Sequence, residues 1–304
     1  MAAVEFDPAA RQNAEVLLEL AFQEDLGGVG DLTAEAIIPA NGQGAARFVA
    51  RKAGVVAGLP VAQLVAARFG LATFFAPLVA DGDRVEPGDP IAAIAGPMRA
   101  MLAMERTALN FLQRLSGIAT LTARFAAEVR DTRATILDTR KTTPGWRALE
   151  KYAVRCGGGR NHRIGLYDAV LIKDNHLAWL ADQGDPIGVA IAAARRHAPP
   201  GTTLEIEVDT LDQLDRALEC EPDIILVDNL GPDALAEAVR RRDHRAPKVL
   251  LEASGGITLA TVQALARTGV DRISVGALTH SAPALDIGLD FETEPAPGPE
   301  GQAV

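Results

Sequence analysis

Apolar residues recur at helical spacing in two stretches of the first half of the chain, residues 9–25 and 97–130. Gly27 and Gly28 follow the first stretch and predict its end, while Gly117 predicts an interruption within the second. The sequence therefore predicts an N-terminal helix and a longer, broken helix. The apolar faces are formed by Ala14, Leu17, Leu18 and Ala21 in the first, and by Met101, Met104, Ala108, Phe111, Leu115 and Ile118 in the second.

Strand-like runs lie between these helices, at residues 46–58, 72–80 and 89–96, separated by a short helical stretch and glycine-rich turns. This pattern predicts a small α+β domain of the open-sandwich type over residues 1–117. The C-terminal tail, residues 289–304, is rich in Pro, Gly and Glu and has no apolar period, so most of it is expected to be mobile. A return of this tail to the first domain stays open.

The pattern changes after residue 117 to short, nearly continuous apolar runs that alternate with helix-like stretches. Such runs are typical of parallel strands that are covered on both faces. The sequence therefore predicts a catalytic α/β barrel over residues 118–288, incomplete, with six or seven strands. The runs are residues 134–139, 168–174, 203–209, 223–229, 249–256 and 271–277.

The composition is that of a globular protein, with 48% hydrophobic and 23% charged residues among 304. A formal net charge of -10 argues against nucleic acid as a partner, because binding to phosphate backbones needs a broad basic face. No apolar run approaches the roughly eighteen residues of a membrane span, and the N-terminus is acidic, so we expect no membrane partner and a cytoplasmic location. Cys156 and Cys220 have no CxxC spacing and are expected to be reduced thiols.

Positive charge is concentrated in residues 137–163, which hold seven Lys or Arg and His162 against two acids. The carboxyl ends of parallel strands meet at one edge of a sheet, where active sites lie. Nearly every predicted strand delivers a polar or charged group to that edge, which indicates a site for a charged ligand. In chain order these residues are Asp138, Arg140, Lys141, Lys173, Asp174, Glu207, Asp209, Asp228, Asn229, Glu252, Ser254 and Gly276.

The charged residues at this predicted edge form two groups of opposite sign, a cationic pole and an acidic pole. Its cationic members suit an anionic substrate, because guanidinium groups hold carboxylates through paired hydrogen bonds. Glu207 and Asp228, on neighbouring predicted strands, form the acidic pole. They could bind Mg²⁺ together with a pyrophosphate, or face the positive charge of an oxocarbenium-like transition state. The cationic members are Arg140, Lys141, His162, Arg163 and Lys173.

Two glycine-containing loops follow the last two strands, "EASGGI" and "SVGALTHSA". Each opens into a helix-like stretch, and backbone N–H groups at a helix start bind phosphate, so a sugar phosphate fits here. Walker A and GxGxxG patterns do not occur. One other class of enzyme stays open, a Schiff-base lyase that uses Lys173. Residues 79–96 resemble the hairpin of a biotinyl or lipoyl carrier, but they contain no lysine, so we interpret them as scaffold of the first domain.

The motifs met so far belong to a longer series of stretches, in chain order "EDLGGVGDLT", "MERTALNFLQRLSGIAT", "LDTRKTTPGWRALEKYAV", "GGGRNHR", "LIKDNH", "EIEVDT", "ILVDN", "EASGGI" and "SVGALTHSA". In these stretches the chain resembles the quinolinate phosphoribosyltransferase family, from about residue 20 to residue 285. The resemblance implies transfer of phosphoribose from phosphoribosyl pyrophosphate to the ring nitrogen of quinolinate, with loss of a carboxyl group as CO2. The expected products are nicotinate mononucleotide and pyrophosphate, Mg²⁺ would assist, and the reaction would belong to NAD synthesis.

The same resemblance implies roles for single residues. Arg140, His162, Arg163 and Lys173 would surround quinolinate, and Arg106 would come from the second subunit of a homodimer. Lys141 would lie toward phosphoribosyl pyrophosphate, with Glu207 and Asp228 on the ribose and metal side. A higher assembly stays open, as does a related enzyme that acts on another aromatic base. The residues implied for the 5-phosphate are Ser254, Gly255, Gly256, Gly276 and His280.

Overall fold

The computed structural model describes residues 4–71 and 74–292, which form two compact units. The first contains the described residues up to Leu121, then Thr143–Gly158, and those from Ala282 onward. The second contains Thr122–Thr142 and Gly159–Ser281. The sequence placed one boundary at residue 117, whereas the first unit of the structure is assembled from three separate stretches of chain.

The two units together contain the following strands and helices, each numbered in chain order. The strands are β1 (Gln43–Ala50), β2 (Gly54–Val55), β3 (Phe75–Pro77), β4 (Arg84–Val85), β5 (Pro90–Pro97), β6 (Thr135–Leu137), β7 (Val170–Ile172), β8 (Leu204–Val208), β9 (Ile224–Asp228), β10 (Leu250–Ser254), β11 (Arg272–Ser274) and β12 (Ile287–Phe291). The helices are α1 (Pro8–Leu26), α2 (Leu32–Ile37), α3 (Leu59–Arg68), α4 (Met98–Val129), α5 (Arg147–Cys156), α6 (Asp174–Trp179), α7 (Pro186–His197), α8 (Leu211–Glu219), α9 (Pro232–Arg245), α10 (Val262–Ala266) and α11 (Ala277–His280).

The first unit is built on an antiparallel sheet with the strand order β12-β1-β5-β3. Helix α1 begins where the sequence predicts it, because Asp7 accepts the N–H of Ala10 at 2.8 Å and Pro8 fits the first turn. It ends at Gly27, whose φ of 52° favours glycine. Helix α1 packs against α5, which explains why residues 143–158 join this unit.

The predicted interruption at Gly117 is wrong, because α4 runs unbroken from Met98 to Val129. A Cβ atom at position 117 would lie 2.1 Å from the carbonyl oxygen of Pro283. The glycine therefore permits close contact between α4 and the returning chain, and it does not end the helix. The Leu285 N–H donates to the carbonyl of Gln113 at 2.9 Å, and β12 then pairs with β1.

The second unit is built on a parallel sheet of six strands, in the order β6-β11-β10-β9-β8-β7. All six apolar runs of the sequence form these strands, which confirms the predicted α/β class. Within the described residues β7 does not pair with β6, so the sheet is an unclosed barrel, as predicted. Beyond β6, Leu137 and Arg160 form a parallel bridge. Across residues 4–71 and 74–292, every helix is too short or too polar to span a bilayer.

Buried ion pairs join the amino ends of the strands in this unit. Arg242 is fully buried and donates to Asp271 at 2.5 Å and to the carbonyl of Val249 at 2.8 Å. Asp271 also pairs with Arg133 and accepts the N–H of Leu251 at 2.9 Å. Because these residues precede or begin β6, β10 and β11, the network fixes three strands at one end.

The two cysteines are free thiols in the structure. Burial, followed by the nearby Asp81 carboxylate, raises the pKa of the Cys156 thiol to about 12. Because the thiolate is the reactive form, Cys156 is not a nucleophile at neutral pH.

Candidate active site

A cavity of about 240 Å³ lies within the second unit at the carboxyl ends of its strands. The structure gathers there nine of the residues that the sequence singled out. This position agrees with the location of active sites in α/β folds. The cavity is lined by Thr139, Arg140, Lys141, His162, Arg163, Leu171, Lys173, Glu207, Leu226, Asp228, Glu252, Ser254 and Ser274.

Arg140 and Arg163 place two guanidinium groups at the cavity. Nη1 of Arg163 donates to the carbonyl of Ala169 at 3.1 Å, which orients the side chain. Burial, and after it the positive charge of Arg140, lowers the pKa of Arg163. Arginine nevertheless keeps its charge in proteins, so like charges are held close together here. An anion in the cavity would relieve this repulsion.

The loop after β6 is held in shape by threonine hydroxyl groups. The Lys141 N–H donates to Oγ1 of Thr139 at 3.0 Å, and Oγ1 of the buried Thr279 donates to the Lys141 carbonyl at 2.7 Å. A Cβ atom at Gly276 would lie 3.1 Å from Cδ of Lys141 and 3.2 Å from Nε2 of His280. The structure thus brings Lys141, Gly276 and His280 together, although the last two do not line the cavity itself.

Glu207 and Asp228 lie on the neighbouring strands β8 and β9 and form the acidic part of the lining. Glu207 forms an ion pair with Nζ of Lys173, which follows β7. Asp228 accepts from Nδ2 of Asn229 at 2.5 Å. Both acids keep oxygen atoms at the cavity wall, and carboxylate oxygens are suitable ligands for Mg²⁺.

His162 lies at the floor of the cavity between two buried acids. Its Nε2 atom is 3.1 Å from Glu205 and 3.3 Å from Glu252. Burial by itself lowers the pKa of His162, but the two carboxylates outweigh it and raise the pKa to about 9. The N–H of Arg163, however, points at Nδ1 from 2.7 Å and requires an acceptor there. The carboxylates thus favour a doubly protonated ring, whereas the Arg163 N–H at Nδ1 requires a neutral ring with its proton on Nε2. While that N–H occupies Nδ1 the ring stays neutral, and a second proton requires the Arg163 amide to turn away.

Glu205, Arg272 and Ser274 are residues of this region that sequence reasoning missed, and it gave Glu252 no role. The missed signal is the two-residue period of a strand, which puts Glu205 on the same face as Glu207. The same spacing relates Glu252 to Ser254 on β10 and Arg272 to Ser274 on β11. Nε of Arg272 lies 2.7 Å from Glu252 and offsets part of its charge.

The loop after β10 carries the predicted phosphate residues Ser254, Gly255 and Gly256. Gly255 has a φ of 95°, and a Cβ atom there would lie 2.1 Å from Oδ1 of Asn229. The Asn229 N–H donates to the Ser254 carbonyl at 2.9 Å, so the ends of β9 and β10 are close. The prediction that a helix starts directly after this loop is wrong, because α10 begins only at Val262. After β11, α11 is a single turn.

Arg106 belongs to the first unit and is exposed on α4. Within the described ranges the side chain of Arg106 has no hydrogen-bond or ion-pair partner. A groove of about 380 Å³ in the same unit includes the adjacent Thr107, together with Leu20 and Trp146. Leu20 is 58% exposed, and Trp146 stacks on Phe111 with ring centroids 4.7 Å apart, so this surface is partly apolar.

Comparison with known proteins identifies the family. The model for the C-terminal domain of quinolinate phosphoribosyl transferase matches residues 118–290, and the model for its N-terminal domain matches residues 31–116. The chain belongs to the quinolinate phosphoribosyl transferase family. The two matches meet close to residue 117 and together cover most of the chain.

Individual relatives agree with this assignment. The nicotinate-nucleotide pyrophosphorylase [carboxylating] of Mycobacterium leprae is 47% identical over 289 residues, covering 94% of this chain and 98% of that protein. The probable enzyme of the same name from Bacillus subtilis is 43% identical and covers 90% of this chain and 92% of its own length.

Solved structures show the same fold. NadC from Streptococcus pyogenes superposes with a TM-score of 0.86 at 39% identity, covering 95% of this chain and all of that one. The nicotinate-nucleotide pyrophosphorylase from Francisella tularensis has a TM-score of 0.85 at 35% identity and covers 96% of this chain and all of its own.

Proposed function

We propose that this chain transfers phosphoribose from phosphoribosyl pyrophosphate to quinolinate with decarboxylation, giving nicotinate mononucleotide, pyrophosphate and CO2 for NAD synthesis. The observation that carries the proposal is the divided cavity, with Arg140, Arg163 and Lys173 among its cations and Glu207 and Asp228 as its acids. Relatives with this activity in their names cover nearly the whole chain.

Quinolinate is a dianion that suits the cationic part of the cavity. Arg140 and Arg163 bind its two carboxylates, and Lys173 adds a third positive charge. In the reaction the ring nitrogen forms a bond to C1′ of the ribose as pyrophosphate leaves. The alkylated ring then accepts the electron pair of the breaking C–CO2 bond, and a proton is taken up at that carbon. The protein supplies orientation and electrostatic stabilisation.

The second substrate lies on the acidic side. Glu207 and Asp228 face the ribose, and their oxygens fit Mg²⁺ held together with the pyrophosphate. When bound, Mg²⁺ neutralises the charge of the leaving group. Lys141 reaches toward this substrate from beside Gly276 and His280. The 5-phosphate is bound by Ser254, Gly255, Gly256, Gly276 and His280.

A homodimer completes each site with Arg106 of the partner subunit. Support comes from the exposure of Arg106 and from the partly apolar groove beside it in the sequence, which a second copy would cover. We expect Arg106→Ala to lower turnover without lowering the Tm. Mixing Arg106→Ala with an inactive Lys173→Met chain should restore part of the activity, since mixed dimers would regain one complete site.

A higher assembly and a cytoplasmic location stay predictions.

The test is an assay with quinolinate, phosphoribosyl pyrophosphate and Mg²⁺ that follows pyrophosphate and CO2 together. We expect equal amounts of both. Nicotinate is offered in parallel. Pyrophosphate formed from nicotinate, or from quinolinate without CO2, would contradict the proposal and favour an enzyme acting on another aromatic base. Omission of Mg²⁺ in the presence of a chelator should abolish turnover.

A further inference from the structure

We propose that Glu205 and Glu252 are positioning residues for the substrate pocket, which hold the ring of His162, and through it the backbone of Arg163, at the cavity floor. The inference rests on the proposed function. It adds two buried residues that support those facing the ligand. Glu205 is 2% exposed and Glu252 is fully buried.

The two acids converge on one atom from separate strands. Glu205 lies on β8 and Glu252 on β10, with β9 between them, and both reach Nε2 of His162 within 3.3 Å. Burying carboxylates is costly unless they are well paired. Yet, among the described residues, Oε1 of Glu205 and both oxygens of Glu252 lack well-aligned hydrogen-bond donors.

The geometry transmits this restraint to Arg163. Nδ1 of His162 accepts the Arg163 N–H at 2.7 Å, so the ring links the two acids to the next residue. Asp138, after β6, fixes the same segment from its other side. It accepts the His162 N–H at 2.9 Å and Nδ2 of Asn161 at 2.6 Å. The backbone of residues 161–163 is therefore tied to three strands, which keeps the Arg163 guanidinium near Arg140 despite their repulsion.

The same three side chains could suggest a metal site, since one ligand atom from each of His162, Glu205 and Glu252 lies within 4.8 Å of the others. The hydrogen bonding argues against it. The Arg163 N–H occupies Nδ1, so the proton is on Nε2, and a protonated nitrogen cannot bind a metal. Arg272 also lies 2.7 Å from Glu252 and supplies the charge that a cation would bring.

The test compares Glu252→Gln and Glu205→Gln with Asp271→Asn, a matched buried carboxylate at the opposite strand ends. We expect each glutamine variant to raise the KM for quinolinate at least about tenfold, since the His162 ring then keeps only one of its two carboxylate partners. The KM for phosphoribosyl pyrophosphate should stay within about twofold of the wild type. Asp271→Asn should lower the Tm and leave both KM values unchanged.

A second readout follows the ring directly. Imidazole ¹⁵N spectra resolve the five histidines of the chain. The His162 signal should show an Nε2-protonated ring in the wild type, shift in both glutamine variants, and stay in place in Asp271→Asn.

The outcomes separate the two proposals. A wild-type enzyme inactive on quinolinate would overturn the proposed function, and the ¹⁵N spectra would then decide the inference alone. An active wild type, with a folded Glu252→Gln variant of unchanged quinolinate KM, would overturn the inference. If Glu252→Gln does not fold, Glu205→Gln decides it by the same criterion. Stoichiometric metal in the purified protein that is lost in Glu252→Gln would also overturn it.

Discussion

The two ends of the parallel strands in the second unit both carry concentrated charge, but they arrange it differently. At the amino ends, Arg242 and Arg133 both bind Asp271, so opposite charges meet. At the carboxyl ends, Arg163 and Arg140 are close enough for one to lower the pKa of the other. Both ends contain ion pairs, since Lys173 binds Glu207 at the carboxyl ends. There, however, two guanidinium groups also repel each other in the cavity lining, as expected where an anionic ligand supplies the opposite charge.

The largest expected effect is that of Arg140→Ala at the carboxyl ends. The loss of a guanidinium–carboxylate pair should lower kcat/KM for quinolinate by about 100- to 1000-fold. The Tm should stay the same or rise, because a repulsion with Arg163 disappears. Steady-state kinetics and thermal unfolding measure both. A variant with normal kinetics and a lower Tm would mean that Arg140 stabilises the fold and does not bind the substrate.

Arg242→Met tests the opposite end of the strands. Its removal leaves the buried Asp271 with Arg133 as its remaining ion-pair partner in the described chain, so the free energy of unfolding should fall by about 3 kcal/mol. Urea unfolding measures this change. The kcat/KM of the folded variant should equal that of the wild type. A selective rise in the KM for quinolinate would contradict the assignment of stability to the amino ends and substrate binding to the carboxyl ends of the strands.

Gly255→Ala should have a smaller effect, at the carboxyl ends again. A side chain there requires a strained φ of 95° and meets Asn229 at 2.1 Å. We expect a loss of about 1–3 kcal/mol in the free energy of unfolding and a higher KM for phosphoribosyl pyrophosphate. Gly256→Ala is the matched control, because position 256 also has a positive φ but has open space among the described residues. Equal stability losses in both variants would assign the effect to φ alone.

Arg240→Ala should have the smallest effect, because its ion pair with Glu237 lies on the outer surface, where Arg240 is 75% exposed. Both KM values should match the wild type, and the Tm should stay within about 2 °C of it. This variant sets the baseline against which the two ends are compared. A larger change in Tm would show that the exposure of an ion pair in this unit does not indicate how much the pair contributes to stability.

The sequence predicted the parallel sheet because its strands are buried on both faces, so each appears as a continuous apolar run ending in a charged residue. The runs that became β8, β9 and β10 carry Glu207, Asp228 and Ser254 at or near their ends. Of the cavity lining, nine residues were named from the sequence as lying at this edge, although Glu252 was given no role. The local pattern was sufficient wherever a residue follows an apolar strand.

Other features depend on contacts that local pattern does not contain. Gly117 was interpreted as a helix breaker because nothing nearby in sequence reveals that Pro283 approaches it. Glu205 lies inside an apolar run, where a charge is unexpected unless partners arrive from other strands, as His162 does. Arg160 bridges to Leu137 although no strand pattern surrounds it. In each case the physical cause is a partner distant in sequence.

The return of the chain after residue 281 has a consequence for synthesis on the ribosome. Strand β1 gains one of its two neighbours only when β12 emerges, about 240 residues later, so the first unit waits for its final segment while the second can already form. Until then one edge of β1 is open to pairing with another chain. Nascent chains stalled near residue 280 should therefore be prone to aggregation and to capture by chaperones.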